Sequence, residues 1–145
     1  MDNNIDILDR IIIGRVEPHI YAFTTNTVPN YLKVGDTYRP VSKRLKEWKE
    51  FFPELQKQYE NKAIIDEDTY FRDYSIHQYL ESDLEKRRLI PTDLPEGDYY
   101  SKEFFKDTET VDIDSAIEDI KNNYIENTGK YEYYSSNNRL PQVYH

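Results

Sequence analysis

His19-Ile20-Tyr21-Ala22-Phe23 and, after a short connector, Tyr31-Leu32-Lys33-Val34-Gly35 are the two runs whose reading decides the fold. Each alternates apolar with other residues at a period of two. The connector Thr25-Asn26-Thr27-Val28-Pro29-Asn30 is made of turn formers, so the pair reads as a β-hairpin. Gly35-Asp36-Thr37 breaks the second run, and a helix is expected from about Val41 to Phe52. Val41, Leu45, Trp48 and Phe52 form its apolar stripe, and Pro53 ends it. Trp48 belongs to the core by this spacing. Arg44 sits at the border of the stripe, where its stem packs and its guanidinium lies over the sheet.

Working outward, Leu55 to Ile65 reads as a third strand, clearest at Ala63-Ile64-Ile65. Asp66-Glu67-Asp68 suits the start of a second helix, through capping and through the helix dipole. In that helix Tyr70, Tyr74, His77, Leu80 and Leu84 recur at three- and four-residue spacing, with His77 on the buried side. Leu89 to Tyr100 carries Pro91, Pro95 and Gly97 and reads as a loop leading into a short Glu103-Phe104-Phe105 strand. A last helix spans Asp114 to about Tyr124, and a short one covers Ile5 to Gly14. The fold expected is α/β in the α+β sense: a small central antiparallel three-stranded sheet flanked by helices, with a late strand delivering Glu103. Residues 1–14 read as a helical extension, 15–125 as the domain, and 126–145 as a linker or docking tail that either ends the protein or leads to further domains.

The length of 145 residues suits one domain. With 37% hydrophobic and 32% charged residues there is enough apolar material for one ordinary core. Ile11-Ile12-Ile13 is far too short to span a bilayer, and the N-terminus lacks a basic start followed by an apolar stretch. A cytoplasmic protein without membrane association is expected. Cysteine is absent, which excludes disulfides, thiol nucleophiles and Cys-type zinc sites. The net charge of -9 speaks against a general nucleic-acid binder. Basic groups nevertheless gather at Lys33, Arg39, Lys43, Arg44, Lys46 and Lys49, either as a solvated helix face or as a face that meets phosphates.

This order of motifs resembles the GIY-YIG nuclease superfamily. Ile20 and Tyr21 match the first tripeptide, where His19 stands for glycine. Val34-Gly35 matches the end of the second, where Lys33 stands for tyrosine. That lysine, a helix histidine at His77 and the Glu103-Phe104-Phe105 strand look like the branch found in phage open-reading-frame domains. The resemblance covers roughly Pro18 to Tyr124. It implies DNA phosphodiester hydrolysis with Mg²⁺ or Mn²⁺ as cofactor and Glu103 as the metal ligand. Tyr21 is implied to position or deprotonate water, and His77 to hold the water or a phosphate. Such domains usually serve as modules of restriction, mobile-element or repair-type enzymes, with attached domains or subunits supplying affinity.

Hydrolysis of a phosphodiester needs a positioned water, a proton acceptor and positive charge on the developing phosphorane. Arg44 is the phosphate contact by chemistry, because guanidinium matches phosphate oxygens bidentately. Lys33 serves as an electrostatic stabiliser, or as a base if a nearby Arg44 depresses its pKa. Tyr31 shares the Lys33 face, roughly 7 Å away along the strand, and stands where it can partly restore the missing phenol. Arg39, Lys43 and Lys46 join Tyr31 as substrate-binding candidates. The rival expectation is a catalytically inactive interaction module that keeps the fold after the tripeptides have changed.

Overall fold

The structure, a computed structural model, describes residues 17–90 and 103–135, so the helix expected over Ile5–Gly14 and much of the expected loop lie outside it. The elements run β1 (His19–Thr24), β2 (Tyr31–Thr37), α1 (Val41–Trp48), β3 (Gln56–Lys62), β4 (Thr69–Tyr70), α2 (Asp73–Gln78), β5 (Phe104–Lys106), α3 (Thr110–Glu126) and β6 (Tyr134–Ser135). The fold is α+β. Its central antiparallel sheet has four strands in the order β3-β1-β2-β5. The late strand is therefore a full member of a sheet expected to have three.

The hairpin pairs His19↔Thr37 through Tyr21↔Gly35 to Phe23↔Lys33. Asn30 closes the connector with φ 72°, a left-handed conformation that asparagine tolerates better than most residues. Glu54 grips the same connector, accepting from the Thr25 hydroxyl and from Asn26 N, the latter at 2.7 Å.

Period-two alternation sorts the sheet into two buried faces. Tyr21, Phe23, Tyr31 and Phe104 pack under Val41, Leu45 and Trp48 of α1, together with Phe52 and Leu55. Ile20, Ala22, Leu32, Val34 and Phe105 pack against Ile76 of α2 and against Ile113, Ala116, Ile117 and Ile120 of α3. The sheet is thus a middle layer. Burial of this apolar area is the main favourable term holding the three layers together.

Several local expectations change. Helix α1 stops at Trp48 rather than Phe52, although Phe52 stays buried and its N–H still reaches Trp48 O at 2.9 Å. The third strand ends at Lys62, before the segment expected to be clearest. Ala63 N then turns to Pro18 O at 2.8 Å, and Ile64 bridges to Tyr70. Asp66-Glu67-Asp68 starts no helix. Asp66 Oδ1 accepts from both Asp68 N and Thr69 N at 2.9 Å, a side-chain turn that competes with helix formation and leads into β4. Tyr70 is therefore a strand residue. Beyond α2, one wide π turn at Tyr79–Asp83 ends the second helix. Helix α3 is longer than expected at both ends. Of the expected tail, Tyr131 joins the core and β6 pairs with β4; residues 136–145 lie outside the described range.

Asp36, near the end of β2, sets where α2 begins. Its carboxylate accepts Asp73 N at 2.9 Å and Arg72 Nε at 2.6 Å, which caps the helix from a distant strand. The Asp36→Ala protein is expected to lose about 2–3 kcal/mol of stability in urea unfolding, since one change removes the cap and strands a guanidinium. Asp36→Asn retains an acceptor for the cap and is expected to lose less. A loss in Asp36→Ala below about 0.5 kcal/mol, the usual range of surface substitutions, would show that α2 is placed by packing alone.

Candidate functional site

Lys33 is the unusual residue of the sheet. By alternation it shares the aromatic face with Tyr31 and Gly35, and it is fully buried. Burying an ammonium costs several kcal/mol unless partners compensate it. Its Nζ donates to Glu103 Oε1 at 2.5 Å. It also lies 4.4 Å from the centre of the Trp48 ring and 5.2 Å from that of Tyr21, both within cation–π range. Burial works to lower its pKa, but the Tyr21 phenol oxygen and the Glu103 carboxylate it donates to outweigh burial and leave it above the ordinary lysine value. A lysine so held is a fixed positive charge, which removes the option of a depressed-pKa base.

Tyr21 stands across the hairpin from Gly35. A Cβ at Gly35 would lie 2.7 Å from the Tyr21 hydroxyl and 2.8 Å from Lys33 Nζ, so only glycine lets these two groups meet over the strand. Trp48 Nε1 donates to the Tyr21 hydroxyl at 2.8 Å and fixes the phenol oxygen in place.

The acidic side of the cluster is organised by the edge of β2. The β5 ladder ends at Lys33↔Phe104, and one residue on Val34 N donates to Glu103 O at 2.9 Å. The Val34 carbonyl lies 2.7 Å from His77 Nε2. A carbonyl oxygen only accepts, so Nε2 carries the proton and Nδ1 holds the lone pair. The imidazole also packs on Phe105, with ring centres 5.0 Å apart. Burial is the main reason its pKa lies below the ordinary histidine value.

Asp73 enters from the start of α2, one turn before His77. It is 4% exposed, and its Oδ1 has no hydrogen-bond partner among the described residues. Burial, with Asp36 and Glu103 nearby, pushes its pKa well above the usual carboxylate range. Glu103 goes the other way: burial would raise it, but Lys33 and a hydrogen bond from Asp73 hold it low. One ligand atom each from Asp73, His77 and Glu103 lies within 4.8 Å of the others. Two ligands on opposite sides of a divalent cation, with bonds of about 2.0–2.6 Å, stand about 4–5 Å apart, so this donor set fits such an ion. A cleft of about 470 Å³, lined in part by Tyr74, His77, Arg88 and Glu103, gives access from solvent.

Tyr21, Lys33, Glu103 and His77 are therefore brought together through successive contacts. Arg44 reaches it through Trp48: its guanidinium lies 5.3 Å from the Trp48 ring centre and donates to Glu47 at 2.8 Å. Two candidates point elsewhere. The Tyr31 hydroxyl accepts from Arg87 at 2.7 Å, so its phenol does not take the place of the one that Lys33 replaces. Arg39 forks onto Glu47 at 2.8 and 2.9 Å. Lys43 and Lys46 are exposed on the outer side of α1.

Asp73 and Trp48 are the residues sequence reasoning missed. The i,i+4 spacing of Asp73 and His77 was a usable signal, because it puts both side chains on one helix face. The acidic run at Asp66–Asp68 drew the helix start away from it. For Trp48 the signal was that a buried indole N–H seeks an acceptor. The chain matches no family model, no curated protein and no solved structure.

Asp73 also sets a pH dependence. Its folded pKa is raised above the ordinary value of 3.8, so its contribution to stability is full below that pH and is lost as pH rises through the folded value. Asparagine mimics the protonated form at every pH. With a chelator present, Asp73→Asn is expected to match the native protein near pH 4 and to exceed it increasingly as pH rises from there through the raised folded value. The divergence should grow by up to about 1.4 kcal/mol per pH unit within the window. Parallel urea-unfolding curves at each pH would contradict the assignment of a raised pKa.

Proposed function

We propose that this chain is a metal-dependent endonuclease module that hydrolyses DNA phosphodiester bonds, with Mg²⁺ or Mn²⁺ as cofactor. One observation carries the reading: Tyr21, Lys33, Glu103 and His77, which occupy the motif positions of the GIY-YIG resemblance, form one chain of contacts, of which Glu103 and His77 line the cleft while Lys33 and Tyr21 lie buried behind them, with Arg44 one aromatic ring away. Such a constellation has the parts that phosphodiester hydrolysis needs.

Glu103 is the primary metal ligand in this reading; a carboxylate has two oxygens, so it can serve Lys33 and a cation together. The bound cation would neutralise charge at phosphorus and lower the pKa of water. Tyr21 accepts one hydrogen bond from Trp48, which leaves its hydroxyl a proton to donate and a lone pair to orient the attacking water. His77, neutral and with Nδ1 basic, is the nearby proton acceptor. Lys33 holds its positive charge throughout and stabilises the oxyanion that develops on phosphorus. Arg44, beside Trp48 with one guanidinium nitrogen on Glu47, offers the phosphate-contacting fork.

DNA would meet the outer row of α1, where Lys43, Lys46 and Lys49 recur every three residues and are exposed. With Lys33 buried and Arg39 tied to Glu47, two or three phosphates are neutralised, for a slope of roughly -2 to -3 in log K against log salt. The acidic total makes this weak, and further domains or subunits supply the remaining affinity. A cytoplasmic location goes with this reading; among the described residues no helix is long and apolar enough to cross a membrane. Reversing Lys43 and Lys46 to Glu is expected to abolish duplex binding in a fluorescence-anisotropy titration while the circular dichroism spectrum stays native. Binding that survives the reversal would move the DNA to another face.

The second reading, an interaction module without catalysis, is favoured by the Lys33–Glu103 ion pair itself, which occupies one oxygen of the proposed ligand. Cleavage of supercoiled plasmid with Mg²⁺ or Mn²⁺ separates the two. Glu103→Ala is a poor control, because it leaves Lys33 buried without its partner and is expected to cost about 2–3 kcal/mol, somewhat under the penalty for a fully enclosed pair. Glu103→Gln keeps an acceptor for Lys33 and is expected to lose cleavage with the fold retained. Arg44→Lys should lose on the order of 10²-fold in rate. Wild-type rates in both variants would leave the assigned residues without a catalytic role, and absence of cleavage by the native chain would favour the interaction module.

A further inference from the structure

The geometry points to a three-ligand divalent-metal site formed by Asp73, His77 and Glu103, selective for a transition ion of the Mn²⁺ kind over Mg²⁺. This rests on the reading of the cluster as the reactive centre; it replaces a lone carboxylate ligand by a mixed carboxylate–imidazole set, and it takes His77 out of the role of proton acceptor, because the one Nδ1 lone pair is spent on the ion. Three observations carry it. The ligand atoms lie within 4.8 Å of one another. Asp73 Oδ1 is buried with no hydrogen-bond partner among the described residues, a state that a bound cation would relieve. His77 donates Nε2–H to the Val34 carbonyl at 2.7 Å, the outer hydrogen bond that commonly orients a metal-ligating histidine; the same Nε2 stands 4.0 Å from Asp73 Oδ2, so the ring lies beside that carboxylate with Nδ1 as the nitrogen able to ligate.

The donor chemistry then decides the ion. Mg²⁺ is satisfied by one or two carboxylates and several waters, and it gains little from imidazole. Imidazole suits the later first-row ions, and carboxylates suit manganese, so one histidine with two carboxylates favours Mn²⁺ and its neighbours. The charge balance agrees. Lys33, ionised Asp73 and ionised Glu103 together carry one negative charge, and a divalent ion turns the site net positive, as a phosphodiester substrate requires. The ammonium 2.5 Å from Glu103 therefore does not bar a cation, provided that Asp73 is a ligand as well.

The test is a Mn²⁺ titration of the full chain, followed by calorimetry and by loss of the free-ion electron paramagnetic resonance signal, with Mg²⁺ as competitor. One Mn²⁺ per chain is expected, bound about tenfold or more tightly than Mg²⁺, with ¹⁴N modulation of the bound-ion spin echo from the imidazole. Asp73→Asn should weaken Mn²⁺ binding by about tenfold or more, and His77→Asn should remove the ¹⁴N signal and the preference over Mg²⁺. Lys57→Gln, on the exposed β3 edge, should bind Mn²⁺ like the native chain. The echo measurement needs no variant, so a variant that fails to fold leaves the site testable. Absence of Mn²⁺ binding to the folded native chain, or a bound ion without nitrogen coupling, overturns the site. Cleavage in Mg²⁺ at native rates by Asp73→Asn also overturns it while the hydrolase reading stands. Binding with the expected signature but no plasmid cleavage supports the site and sinks the hydrolase reading.

Discussion

A fully buried ammonium at Lys33 is the constraint around which the rest of the molecule is arranged. An isolated charge in an apolar layer is untenable. The chain answers with an anion at 2.5 Å, two aromatic faces and a glycine opposite Tyr21 that leaves room for the contact. Each answer fixes an element. Glu103 holds the entrance to β5, Trp48 anchors the end of α1, and Tyr21 is pinned to the hairpin floor. The aromatic packing of Phe23, Trp48, Phe52 and Phe104 excludes water from the same region and strengthens the electrostatics within it.

The other half of the site depends on backbone groups. Val34 uses its N–H for the Glu103 carbonyl and its C=O for the His77 ring, and Asp36 two residues on receives the first N–H of α2. Because residues i and i+2 of a strand face the same way, one short segment of β2 orients groups from two distant parts of the chain. Polar side chains held by regular backbone keep their positions better than side chains on loops.

Much of this was legible in the sequence where the signal is local. The hairpin and the α1 stripe follow from alternation and helical period, and the late strand lies one residue on from Glu103-Phe104-Phe105, at Phe104–Lys106 with Glu103 in the turn before it. What escaped was non-local. The start of α2 is set by Asp36, far away in sequence, whereas the local acidic run Asp66–Asp68 makes its own turn. Arg39 and Tyr31 lay in a suitable place, yet Glu47 and Arg87 claimed their polar atoms. The burial of Lys33 could not be read from composition, because a lysine in an alternating strand ordinarily marks the wet face.

The two edges of the central sheet differ in a way that bears on assembly. Strand β3 is solvent-exposed along nearly all its length and carries Lys57, Glu60 and Lys62. On the opposite side, β5 is already flanked, with Leu89 N on Phe104 O and Lys106 N on Arg87 O. A charged edge resists templating by a foreign strand, and a covered edge has no ladder to extend. Strand addition is therefore disfavoured on both sides, and the large exposed apolar side chains lie instead on helix and loop surfaces, at Phe51, Val111 and Ile125.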